Sequence, residues 1–123
     1  MILVDTSVWV DHLRARDDAL ASLLEAGSVV VHPFVTGELA LGHLKRRDAV
    51  LQTLQDLPQA RVATHDEVLH FIGQNRLFGL GIGYVDAHLL AAARLNPGVS
   101  LWTRDRRLHR PATLLGLTAK QLN

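Results

Sequence analysis

Residues 1–13 read MILVDTSVWVDHL. Three aliphatic residues, Ile2, Leu3 and Val4, run straight into an acid, Asp5, and then into two hydroxyl residues, Thr6 and Ser7. A run this short, with β-branched residues, reads as a parallel strand buried on both faces. The carboxylate at its tip admits two readings. Asp, Thr and Ser all suit the N-cap of a following helix. In open α/β sheets, however, ligands gather at the carboxyl ends of strands, which is where Asp5 falls.

Two further runs look alike, Val29–Val31 and Val99–Trp102. Helical stretches lie between the three. The first two cover about 7–14 and 17–26, the second closing at Gly27, a residue suited to the left-handed position after a helix. Pro33 fits the first turn of a helix reaching about Leu44. The next spans about 47–56 and stops before Pro58. Thr64-His-Asp-Glu67 is a capping-box pattern that opens a helix to about Phe78, and a last clear helix runs from about Tyr84 to Leu95, before Pro97. Pro111 interrupts the helical pattern after Arg110, which leaves a final strand in the tail open; a short turn beginning at Arg106 goes with the capping reading of Asp105. Strands alternating with helices predict an α/β fold with a small central parallel sheet flanked by helices on both faces.

The chain has 123 residues and a formal net charge of +1. That length suits one domain over residues 1–123, able to bury roughly two-thirds of its extended surface. There is no cysteine, which excludes disulfides, thiolate catalysis and thiolate zinc sites. No apolar run approaches the ~18 residues of a membrane span, and no basic leader precedes an apolar stretch. A soluble, cytoplasmic protein is expected. Bases cluster in KRR at 45–47 and in RDRRLHR at 104–110. Such clusters either meet phosphates or form a solvated surface.

Three more acids share the oddity of Asp5. In HPFVTGELALGHL (32–44), Glu38 has Phe34 and Val35 one turn behind and Leu41 one turn ahead, which puts it on the apolar stripe of the expected helix. In GIGYVDAHLLAAARL (81–95), Asp86 follows Ile82 by one turn and precedes Leu89 and Leu90 by another. In GVSLWTRDRRL (98–108), Asp105 lies just beyond a strand end, as Asp5 does. Each has a bland explanation: a mispredicted or snorkelling Glu38, Asp86 at a helix N-terminus, Asp105 as an N-cap. One hypothesis covers all four acids, convergence on a hard divalent cation. Mg2+ and Mn2+ prefer carboxylate and water oxygens, and the ion offsets the repulsion of gathered like charges. The seven histidines lack zinc-ligand spacing, and His88 falls on a different helix face from Asp86.

Asp5 in ILVDTSVWVD, Glu38 in PFVTGELALG, Asp86 in YVDAHLLAAA and Asp105 in LWTRDRRL resemble the acidic motifs of the PIN-domain family, and more closely those of VapC-type toxins of prokaryotic toxin–antitoxin pairs. The likeness spans about residues 1–110, with the blocks in the family's order. It implies a PIN-like fold and an Mg2+- or Mn2+-dependent endoribonuclease, commonly a homodimer. It also implies a VapB-type antitoxin whose C-terminal segment lies along a groove near the acids. Asp5, Glu38, Asp86 and Asp105 would be the catalytic and metal-holding residues. Thr6, Ser7 and Thr103 match the hydroxyl positions beside them, suited to orienting a carboxylate or a water. Water would attack the phosphodiester in line, leaving a 5′-phosphate and a 3′-hydroxyl. Arg104 and Arg106, next to Asp105, are the expected RNA-backbone contacts.

Two other readings compete. A non-catalytic metal- or partner-binding α/β module would use the same acids structurally. An aspartyl-phosphate phosphatase needs a second acid two residues after the first, where this chain has Ser7; a receiver domain needs paired acids and a strand-end Lys that are not found. GLGIG (79–83) follows a helix, not a strand, so it reads as a flexible entry to the Asp86 helix and not as a dinucleotide loop. Trp9, Val10, Leu13, Leu20, Leu23 and Leu24 could serve the core or a partner surface.

Overall fold

The computed structural model describes residues 1–120 and 122. Three short parallel strands, β1 (Ile2–Val4), β2 (Val29–Val30) and β3 (Ser100–Trp102), pair in the order β2-β1-β3. The predicted α/β class and parallel sheet are therefore what forms. Leu3 and Val4 are fully buried, and the neighbouring pairs Val29–Val30 and Leu101–Trp102 are buried too. Successive strand residues face opposite sides, so both faces of the sheet are covered.

Single parallel bridges extend each edge, Val31 with Gln59 and Leu101 with Thr118. The tail beyond Arg110 thus returns to the sheet, and the backbone of Leu101 bonds Leu117 and Ala119 at 2.7 and 2.9 Å.

Seven helices are described: α1 (Thr6–Arg14), α2 (Asp18–Glu25), α3 (Pro33–Ala40), α4 (Arg47–Asp56), α5 (His65–Gln74), α6 (Tyr84–Leu95) and α7 (Arg106–Leu114). Helix α3 packs on α1 and α4, α5 on α6, and α6 on β3. Leu20, Val31, Leu54, Leu89, Leu90 and Leu108 close the core around β1, and Ala63, Val68, Ala87 and Ala91 form a smaller cluster between α5 and α6.

Three boundaries differ from the sequence expectation. Helix α3 stops at Ala40, not near Leu44. Leu41 N–H bonds Glu38 O and Gly42 N–H bonds Leu39 O, which tightens the last turn and leaves Leu41 90% exposed. Helix α5 stops at Gln74, not near Phe78. Asn75 Nδ2 caps Phe71 O at 2.9 Å, and Arg76 turns left-handed at φ 52.

The third difference is larger. A helix of nine residues runs through Pro111, where only a turn was expected. The ring removes one hydrogen bond, but Leu108, Pro111 and Ala112 are buried on one face. Their packing outweighs the loss of that bond.

The chain leaves β1 towards β2 on one side and later returns to β3 on the other. The central strand tip is therefore the topological switch point, and Asp5 stands on it.

Candidate active site

Asp5 occupies the N-cap position of α1 yet makes no side-chain cap bond. Its carboxylate, 5% exposed, turns inward. Oδ2 accepts from Ser7 Oγ at 2.7 Å and from Thr103 Oγ1 at 2.8 Å. Capping therefore does not explain this acid. Among the described residues it also has no cationic partner, although a buried carboxylate without one costs several kcal/mol.

Thr103 joins two strand ends. Its hydroxyl donates to Asp5 and accepts from Asp105 N–H at 3.0 Å. Asp105 itself caps α7, Oδ1 accepting from Arg107 N–H at 2.9 Å, and its side chain is exposed. Here the bland capping reading is realised, and it leaves the second carboxylate oxygen available.

Glu38 corrects an expectation. It lies outside the buried stripe of α3, which is Val35 and Leu39, and it is exposed. The helix ends a turn early, so the apolar neighbour ahead, Leu41, turns away. Glu38 is nevertheless tied to the tip of β1, since Thr6 Oγ1 donates to its Oε1 at 2.6 Å.

Asp86 is half-buried on the first turn of α6 and accepts from Gly83 N–H at 3.0 Å. Burial pushes its carboxyl above the ordinary range. The Gly83 bond opposes that shift, and the negative fields of Asp5, Asp105 and Glu38 add to it. All four acids thus share one electrostatic neighbourhood. Among the described residues, no three acidic or histidine side chains crowd closely enough to chelate an ion outright. The donor set still fits Mg2+ or Mn2+, because these ions keep several waters and take few protein carboxylates.

Arg104, expected as an RNA contact, is engaged within the fold. Its guanidinium bonds Asp11 at 2.8 Å and Asp17 at 2.5 Å, and it lies over the Trp102 ring at 5.3 Å. The bond from Arg104 holds the Asp17 carboxyl below its usual value. This arginine fastens α1 and the start of α2 to the end of β3. Sequence reasoning missed the clamp because nothing local links position 104 to positions 11 and 17. Arg106, by contrast, is exposed.

Histidines reach the interior, as expected of packing residues. His32 is fully buried and caps α3, its Nδ1 accepting from Phe34 N–H at 3.0 Å. Phe34 packs edge-on to buried His88 at 4.6 Å, and Tyr84 also meets His88 edge-on at 4.6 Å. Tyr84 Oη pairs with His65 Nδ1 at 2.6 Å. His88 is thus held by rings and does not join the acids.

The PIN domain family model matches residues 2–114. This chain belongs to the PIN-domain family. It is also similar to Ribonuclease VapC32 of Mycobacterium tuberculosis, in strains H37Rv and CDC 1551: 56% identical over 108 residues, covering 88% of this chain and 87% of the relative. The VapC-type resemblance read from the four acidic blocks therefore stands, and every one of those acids lies within the family match.

Proposed function

We propose that this PIN-domain protein is an Mg2+- or Mn2+-dependent endoribonuclease and the toxin of a toxin–antitoxin pair. The observation that carries the reading is Asp5. It is a buried carboxylate at the switch point of the sheet, free of capping duty and of any cationic partner in the described residues, and it shares its field with three other acids. The similarity to a ribonuclease over most of both chains supports it.

In this reading Asp5, Glu38, Asp86 and Asp105 hold the ion. When bound, it supplies a lowered water pKa and compensation for charge developing on the phosphate. Ser7 and Thr103 orient Asp5, and Thr6 orients Glu38, so the carboxylates keep fixed directions. Gly83 N–H does the same for Asp86. No residue of the chain is needed as a covalent nucleophile. Arg106, beside Asp105, meets the RNA backbone.

The antitoxin would cover the groove of about 390 Å3 lined by Glu38, by Val10, Leu13, Leu39 and Val50, and by the bases Arg14 and Lys45. Apolar lining beside charged groups, with Glu38 among them, suits an amphipathic peptide that also covers one of the acids. Trp9 and Leu20 belong to the core, whereas Val10 is 39% exposed. Homodimerisation, implied by the resemblance, and a cytoplasmic location, expected from the sequence, belong to the same proposal. Among the described residues no helix is long and apolar enough to cross a membrane.

The test is cleavage of total RNA by the wild type and by Asp5→Asn, each with Mg2+ and with EDTA, followed by end mapping. The expected result is metal-dependent scission leaving 5′-phosphates, lost in Asp5→Asn. Cleavage that survives both EDTA and the substitution would remove the reading.

A further inference from the structure

Helix α7 exposes Arg106, Arg107 and Arg110. Among the described residues none of the three has an ion pair; the pairs are Arg16 with Asp18, and Arg104 with Asp11 and Asp17. Arg106 and Arg110 stand one turn apart, where like charges repel. Such a cluster attracts an anion from outside.

The arginines also have shape around them. Leu80, Arg106, Arg107, Arg110, Pro111 and Leu114 line a notch of about 210 Å3. One wall is the loop before α6, and the other is α7. Gly81 sits at φ +79, and a Cβ there would come within 3.5 Å of Arg107 Cδ, so the loop passes directly beneath the arginine stem. Leu80 and Leu114 offer apolar surface, 44% and 81% exposed.

Both walls lead to acids. The loop ends at Gly83, whose N–H holds Asp86, and α7 begins at Asp105, whose carboxylate accepts from Arg107 N–H. The notch is therefore walled by the two segments that carry Asp86 and Asp105. Guanidinium groups bind phosphates and stack on base planes, and leucines contact base faces. Charge alternating with apolar surface fits a single strand, whose bases can unstack; duplex bases cannot enter.

We infer that this notch is a nucleobase subsite. It takes one unstacked base of single-stranded RNA next to the scissile phosphate, with Arg107 stacked on the base and Arg106 and Arg110 on the flanking phosphates. The assignment rests on the endoribonuclease reading and adds that the chain discriminates RNA sequence at that nucleotide.

Binding is measured by fluorescence anisotropy in Mg2+ on the Asp5→Asn background, which leaves the notch intact. The ligands are short single-stranded oligoribonucleotides that differ at one central base. The strongest and weakest should differ by about tenfold, and Arg107→Ala should narrow that spread to about twofold. Arg107→Lys keeps the charge without the plane, and should lose the spread while retaining affinity for the weakest oligonucleotide. Gly81→Ala, strained at φ +79 in the loop beneath the Arg107 stem, should narrow the spread in the same direction by shifting that wall. Arg46→Ala, remote from the notch, should change neither quantity. An unaltered spread, an equal loss for every oligonucleotide, or no spread in the parent would overturn the subsite. Cleavage of the same oligonucleotides by the wild type is scored separately. Its absence would sink the ribonuclease reading, whereas cleavage with an unaltered binding spread would sink the subsite alone.

Discussion

Thr103 Oγ1 donates to Asp5 Oδ2 at 2.8 Å across 98 residues of sequence, and both side chains are buried. This bond makes the tips of β1 and β3 one unit, because the same hydroxyl also accepts from Asp105 N–H. Two acids from opposite ends of the chain are thereby aimed by one small group.

Thr103→Val keeps the shape and deletes the hydroxyl. Asp5 then keeps only the Ser7 bond, and Asp105 N–H loses its acceptor. The loss should cost about 1–3 kcal/mol of stability by urea unfolding. Cleavage should fall about 10- to 100-fold, with a matching rise in the Mg2+ concentration needed for half-maximal rate. A rate that falls with an unchanged Mg2+ requirement would show that Thr103 does not act through the metal-holding carboxylates.

Asp86 should trade stability for function. Its carboxyl is pushed up by burial and then by Asp5, Asp105 and Glu38. A raised folded pKa means that the folded state binds more protons, so stability drops as pH climbs from the ordinary 3.8 through the raised value. At neutral pH the ionised group is a net burden. Asp86→Asn should therefore raise the melting temperature of the metal-free protein and abolish cleavage. Mg2+ should stabilise the wild type and leave Asp86→Asn nearly unmoved. A variant that melts lower than the wild type without metal would contradict this account.

The fold was legible where pattern and period agree. The run Ile2–Val4, and with it the parallel sheet, follows from apolar strands with acids at their tips. Asp5 was legible as an oddity, and the structure separates its two readings, because the side chain does not cap. Glu38 was placed on the wrong face because the helix ends before Leu41 can join the stripe. No glycine or proline follows Ala40 or Gln74 at once to announce those ends. Helix α7 was hidden by Pro111, whose local penalty is overridden by burial of Leu108 and Ala112. The Arg104 clamp was illegible for another reason: its partners lie 87 and 93 positions away, and no periodicity reports such pairing.

That clamp predicts a separation of effects. Arg104→Met should lower stability by about 1.5–3 kcal/mol, since two charge-assisted bonds are lost from a side chain only 27% exposed. Asp17, held below its ordinary 3.8 by Arg104, contributes stability that is full above that value and is lost as pH falls through the lower folded one. The variant should thus show a shallower acid limb below about pH 4. The salt dependence of RNA binding should stay as in the wild type, whereas Arg106→Ala should flatten it by about 0.7 in logarithmic slope, the value for one phosphate on a single strand. A flattened slope in Arg104→Met would return this residue to the RNA surface.

His32 sets the pH limit on the other side of the site. Its imidazole caps α3 only while Nδ1 is unprotonated, and burial followed by the neighbouring His88 pushes its pKa from 6.5 down to about 4. Between those values the unfolded chain takes up a proton that the folded chain refuses. Stability is whole above pH 6.5 and declines on acidification, by up to ~1.4 kcal/mol per pH unit, levelling off below about 4 when both states are charged. Since α3 carries Glu38, loss of the cap also loosens one of the acids. His32→Asn retains an acceptor suited to the N-cap but removes the proton site. Urea unfolding at several pH values from 7 down to 4 should give a flatter decline for this variant than for the wild type. The carboxylates and His88 remain in both proteins, so the difference in slope isolates His32. Parallel slopes would show that the buried imidazole keeps an ordinary pKa.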